Sequence, residues 1–144
     1  MHEKNTFRFD LRLMKDAERI ARSTMILILL TAGTSKFFSG GGFQQYYTGL
    51  FAAETLRITL PSIFVELYLS VVPFIEIGLG LALISNRYKG YTVYGWFAFM
   101  LSLLFGHYIL EEWSSVNQML DYIFLGLICL VLPAHASWFR RDPA

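Results

Sequence analysis

Seven side chains able to carry charge or exchange a proton sit inside or at the rims of long apolar stretches: Arg22, Lys36, Glu66, Glu76, His107, Asp121 and Tyr122. A charge in lipid costs kilocalories, so such groups turn inward, pair with one another or line a watery site. Their positions along the stretches place five of them, Lys36, Glu66, His107, Asp121 and Tyr122, in the outer half of a helical bundle. That group suits a small polar ring. A histidine, a tyrosine hydroxyl or a lysine donates to a carbonyl oxygen such as that of a quinone head group, and a carboxylate relays protons. On this reading Lys36 binds the anionic reduced head group, His107 exchanges protons, and Glu66 or Asp121 leads them to water. His107, Glu111, Glu66 and Asp121 also offer nitrogen and oxygen ligands to a metal. One histidine without a second at helical spacing argues against a metal centre. Hydrated interface residues with no specific role would account for the same pattern.

Arg22 and Glu76 are the candidates for an intramembrane ion pair. Glu76 lies about nine residues from the inner end of its stretch and about fourteen from the outer one, so it has to be neutralised, paired or hydrated. Arg22 is the nearest cation at the inner end and has to reach along the helix to meet it. Pro73, three residues before Glu76, removes a backbone donor and frees a carbonyl. On the first stretch Arg22, Ile26, Leu29, Gly33 and Lys36 recur at intervals of four, three, four and three, which is one helical face. Snorkelling of Arg22 and Lys36 to opposite interfaces is the plainer alternative. Glu66, near the outer interface, is within prospective reach of Lys36.

The elements that position these residues are four apolar stretches, at about 20–38, 63–85, 91–110 and 119–138. Each approaches the ~20 residues a helix needs to cross a bilayer. Hydrophobic residues make up 55% of the 144, with mean hydropathy +0.46. A soluble bundle would alternate apolar and charged faces, yet residues 93–105 carry no charge at all. The expected fold is therefore all-α: a polytopic membrane four-helix bundle over residues 23–138, entered through an amphipathic segment at 1–22.

Charge sets the expected orientation. Lys4, Arg8, Arg12, Lys15, Arg19 and Arg22 precede the first span, Arg87 and Lys89 follow the second, and Arg140 and Arg141 follow the fourth. Both termini are then cytoplasmic by the positive-inside rule, with a short cytoplasmic tail at 139–144. Such a chain belongs in a bacterial inner membrane, its first partner being the lipid bilayer. The basic start carries the acids Asp10, Asp16 and Glu18, and topology explains its charge without nucleic acid. A cleaved signal peptide fits poorly, because the apolar run continues into Lys36, Phe37 and Phe38.

The outer connection, 39–62, opens on Ser39-Gly40-Gly41-Gly42 and carries Phe43, Tyr46, Tyr47 and Phe51. It is expected to hold a re-entrant or surface-lying helix, with a further helical turn at 52–56. Residues 111–118 read as an acidic outer turn. The small residues Gly95, Ser102 and Gly106 form a stripe suited to another transmembrane subunit, or to the chain's own helices. Cys129 is alone, so it makes no internal disulfide or thiolate cluster. His2 and His135 have no evident role. No nucleotide-binding, hydrolase, zinc or haem motif is present.

Two of these segments resemble the DoxX-like membrane proteins. An arginine opening the first span followed by Gly33-x-x-Lys36-Phe37, and Glu76-Ile-Gly78-Leu-Gly80 followed by the basic turn Arg87-Tyr88-Lys89, are similar to that family's pattern. The aromatic outer connection ending at Pro61 also fits, and the likeness covers roughly residues 22–133. The wider group includes the DoxD subunit of thiosulfate:quinone oxidoreductase, the methylamine-utilisation protein MauE and membrane chaperones. The resemblance implies a four-helix bundle with redox associations. The expected role is a small accessory or structural subunit of a respiratory or other membrane redox complex, bound to other transmembrane subunits or to its own copies. The alternatives are a self-contained quinone-binding oxidoreductase module, or an assembly factor. Quinone is the one cofactor these readings imply.

Overall fold

A computed structural model describes residues 3–54, 56–85 and 88–133, with side chains from residue 11 onward. These residues form five α-helices and no strand: α1 Glu3–Phe38, α2 Gly42–Phe51, α3 Ser62–Ser85, α4 Lys89–Ile109 and α5 Trp113–Val131. The expected tail at 139–144, His2, His135 and Arg87 lie outside the described residues.

Three helices, α3, α4 and α5, are long and apolar enough to cross a membrane. A fourth crossing arises when α1 and α2, bent by 93° at their junction, count as one broken span. These are the helices of an integral membrane protein.

The amphipathic start and the first apolar stretch are one continuous helix. Nothing in α1 breaks it: there is no proline from Glu3 to Phe38, and the first glycine is Gly33. At ~1.5 Å per residue it is roughly twice as long as the other helices need to be. Its hydroxyls stay out of the way of the apolar packing by bonding back one turn: Thr24 to the Ile20 carbonyl, Thr31 to Leu27 and Thr34 to Leu30. α1 ends because Gly40 (φ 58°) and Gly41 (φ 85°) enter the left-handed region that glycine tolerates. The chain then turns into α2, and Gln44 Nε2 donates to Ser70 Oγ at 3.0 Å, tying α2 to α3.

Three boundaries differ from the sequence reading. The fourth stretch, expected to reach 138, ends as a helix at Val131, and residues 134–138 lie outside the described ones. The helix expected in the outer connection takes the aromatic run 42–51, and the further helical turn expected at 52–56 is not part of it. The turn before α5 is confined to a few residues around Glu111, whose φ is 57°. Ser114, Ser115, Asn117 and Gln118 look like a loop by composition but occupy the first two turns of α5. Polar residues at a helix start are solvated there at little cost.

α1 packs along α3 and also meets α5, α4 lies between α3 and α5, and α2 rests on α3. The shared interior holds Met25, Leu29, Val72, Leu83, Val93, Trp96 and Cys129, none more than 1% exposed. The small-residue stripe is spent inside the chain. A side chain at Gly95 would meet Leu79, Ser102 bonds Tyr68, and Gly106 faces Phe51.

Trp96 is the largest buried side chain, and its indole Nε1 donates to the Tyr122 carbonyl at 3.1 Å. It fits because α5 has no side chain at Gly126, where a Cβ would lie 2.8 Å from the indole. A rigid, hydrogen-bonded ring cannot step aside, so Gly126→Ala should cost about 1–3 kcal/mol of stability. Gly78→Ala, with nothing within 4 Å, should be neutral or slightly stabilising. Unfolding of both variants in detergent micelles, followed by tryptophan fluorescence, checks the pair. Equal behaviour would mean that the Trp96 packing is looser than described.

Candidate functional site

A cavity of about 220 Å³ lies between α1, α2, α3, α4 and the start of α5, at the α2 end of the molecule. Its walls are mainly apolar, with Leu29, Val72, Met100 and Leu103 among them. Aromatic rings from three helices contribute: Phe43, Tyr47 and Phe51 from α2, Tyr68 from α3 and Tyr122 from α5 line it, with Gly106 of α4 beside them. α2 is present in the wall because the two left-handed glycines turn the chain back over the bundle.

Two polar pairs interrupt this lining. On one wall Lys36 Nζ lies 2.5 Å from Glu76 Oε1 and 5.0 Å from the centre of the Phe43 ring. Glu76 is brought there by close contact of α1 with α3. A Cβ at Gly33 would lie 3.1 Å from the Glu76 Cβ and 3.1 Å from the Pro73 carbonyl. Pro73 also gives no N–H to the Leu69 carbonyl one turn earlier, and Leu69 lines the cavity too. On the other wall His107 Nδ1 lies 2.7 Å from Glu112 Oε2, and the Tyr47 ring stands nearly edge-on to the imidazole. Glu112 is 27% exposed, so this pair connects the cavity to the surface. Tyr68 and Ser102 share a hydrogen bond of 2.7 Å that joins α3 to α4 beside the same space.

Of the residues singled out from sequence, Lys36, His107 and Tyr122 therefore meet at one cavity. Glu66 and Asp121 do not; both are exposed on the outside of their helices. Glu66 is ten residues from Glu76 along α3, about 15 Å by helix rise, which removes it from Lys36. Asp121 precedes Tyr122 by one position, and a step of one residue turns about 100° around a helix. The carboxylate that lines the cavity is Glu76, while Glu112 pairs with His107 from outside the lining.

The expected Arg22–Glu76 pair is not formed. Glu76 packs at the level of Gly33, eleven residues beyond Arg22 on α1, or about 16 Å of helix rise. Arg22 instead pairs with Glu18 one turn below, Nε to Oε1 3.3 Å, and Lys89 Nζ reaches the same Glu18 oxygen at 3.2 Å. Glu18 and Arg22 are 0% and 1% exposed. Lys89 also donates to the Leu132 carbonyl at the end of α5, 2.9 Å, and the Cys129 thiol lies 3.8 Å from Glu18. This buried ionic knot escaped the sequence reading because Glu18 looked like one polar residue of an amphipathic surface helix. The i, i+4 spacing of Glu18 and Arg22 was the available signal. Among the described residues, no group of three or more histidine, cysteine or acidic side chains is placed to hold a metal ion.

Comparison with family models, with curated proteins and with solved structures finds no match for this chain.

Proposed function

We propose that this chain is a DoxX-like membrane protein that holds a quinone head group in the cavity between its helices. In this proposal it serves as a small accessory subunit of a respiratory or other redox complex in a bacterial inner membrane. The bent α1–α2 pair is the first of four spans in a four-helix bundle. Both termini are cytoplasmic, following the lysines and arginines at one end of the chain's spans. The lipid bilayer and other transmembrane subunits, or further copies of the chain, are its partners, and nucleic acid is not among them.

One observation carries this reading: an aromatic-walled cavity faced by a Lys–Glu pair on one side and a His–Glu pair on the other. Its volume is below the ~300–1,000 Å³ of drug-sized sites, so it takes one ring system and leaves an isoprenoid tail to the lipid. Lys36 and Tyr122 bind and orient the ring oxygens. His107 exchanges a proton, and Glu112 passes it toward the surface. A self-contained quinone-binding module is the second reading. The internal use of Gly95, Ser102 and Gly106 favours it, because that stripe is not left free for another subunit.

Mass spectrometry of the tagged protein, gently extracted from its native membrane, tests both. Stoichiometric cytochromes or iron–sulfur proteins support the accessory subunit, and recovery alone with bound quinone supports the module. Transient clients without quinone would sink both and indicate an assembly factor. Co-extracted quinone should fall about tenfold in His107→Ala, the equivalent of ~1.4 kcal/mol of lost hydrogen bonding.

A further inference from the structure

Glu76 is 3% exposed, and its two carboxylate oxygens are unequally served. Oε1 takes a hydrogen bond from Lys36 at 2.5 Å, while Oε2 is buried with no hydrogen-bond partner among the described residues. A buried carboxylate oxygen without a donor is costly. The carboxylate turns about a broad, two-fold terminal torsion, so a donor inside the cavity can be met without moving α3. Lys36 has three N–H donors, one of them committed to Glu76.

A ligand oxygen placed between these two side chains has to answer both. A hydroxyl does so: it donates its proton to Glu76 and accepts from Lys36. A carbonyl oxygen accepts from Lys36 and leaves Glu76 Oε2 unmet.

We propose that the cavity selects the hydroxyl-bearing, reduced ring, a hydroquinone, over the quinone. This selectivity rests on the ring-binding reading above and adds the oxidation state of the occupant to it. A pocket built to receive a hydroxyl rejects an analogue lacking it far more strongly than a purely apolar pocket could.

The test uses the purified full-length chain in lipid nanodiscs and three probes: a decyl benzoquinone, its hydroquinone kept reduced, and the hydroquinone dimethyl ether. Equilibrium dialysis gives the three affinities. The hydroquinone should bind about tenfold or more tightly than the quinone and the ether. The paired substitution Lys36→Met with Glu76→Leu, which removes donor and acceptor together, should erase most of the difference. Equal affinities for hydroquinone and quinone in the unaltered protein overturn the selectivity and leave ring binding standing. Failure of all three probes to bind overturns both. A preference that survives the paired substitution also overturns the proposal, since these two residues would not be its source.

Discussion

Glu18→Ala should destabilise this protein by about 3–5 kcal/mol, the range found when one partner of a buried ion pair is removed. The substitution deletes the anion shared by Arg22 and Lys89, both within 3.3 Å of the same carboxylate oxygen. Two cations then remain at the meeting point of α1, α4 and α5. Lys89 is 12% exposed and keeps the Leu132 carbonyl, so it finds water at modest cost. Arg22 is 1% exposed and has no such exit, so most of the penalty belongs to it. The check is a set of unfolding curves in detergent micelles for Glu18→Ala, Glu18→Leu/Arg22→Leu and the unaltered protein. The double substitution should recover more than half of the loss, because it removes the stranded charge together with its partner. A single substitution within about 0.5 kcal/mol of the unaltered protein would mean that water reaches the knot.

Lys36→Met should cost a similar ~3–5 kcal/mol, for a related reason at the other end of the molecule. It strands Glu76, already short of one hydrogen bond, against the apolar face of α1. Lys36→Met with Glu76→Leu should return most of that stability, since well-packed apolar residues often replace a buried ion pair without loss. Its stability and its binding are then expected to part company: the double variant folds about as well as the unaltered protein but no longer sorts ligands by their hydroxyls. If the double variant proves as unstable as the single one, the Lys36–Glu76 pair is needed to align α1 with α3. Recognition is then decided on the unaltered protein, by whether the hydroquinone binds more tightly than the quinone and the dimethyl ether.

The sequence carried the spans well. The stretches at 63–85 and 91–110 match α3 and α4 to within two residues at each end, because long apolar runs bounded by Pro61, Gly90 and Glu111 leave little choice. The site was legible only by residue type. Lys36, His107 and Tyr122, singled out by type, line one cavity, while the carboxylates that pair with Lys36 and His107 are not the ones expected. Depth along a helix is readable from sequence; the face a residue presents to a neighbouring helix is not. Glu66 and Asp121 lie on their helices toward the same end as the cavity and point away from it. Glu112 was hidden in what looked like an acidic loop. Glu18 was hidden because α1 continues straight through the boundary where a surface helix was expected to hand over to a span.

Met25 and Leu29, at most 1% exposed, stand on α1 between the knot at Glu18–Arg22 and the pair at Lys36–Glu76, within the same closed apolar cluster as Val93 and Trp96. Arg22 and Lys36 are fourteen residues apart, about 21 Å of helix rise. No titratable side chain of the described α1 lies in that interval. The two ionic centres are thus separated along α1 by a stretch without a charged side chain. If the cavity handles protons as proposed above, that stretch would keep each proton on the side it came from: in an energised membrane an elementary charge carried across is worth ~2.3 kcal/mol per 100 mV, and α1 offers no titratable group between the two centres.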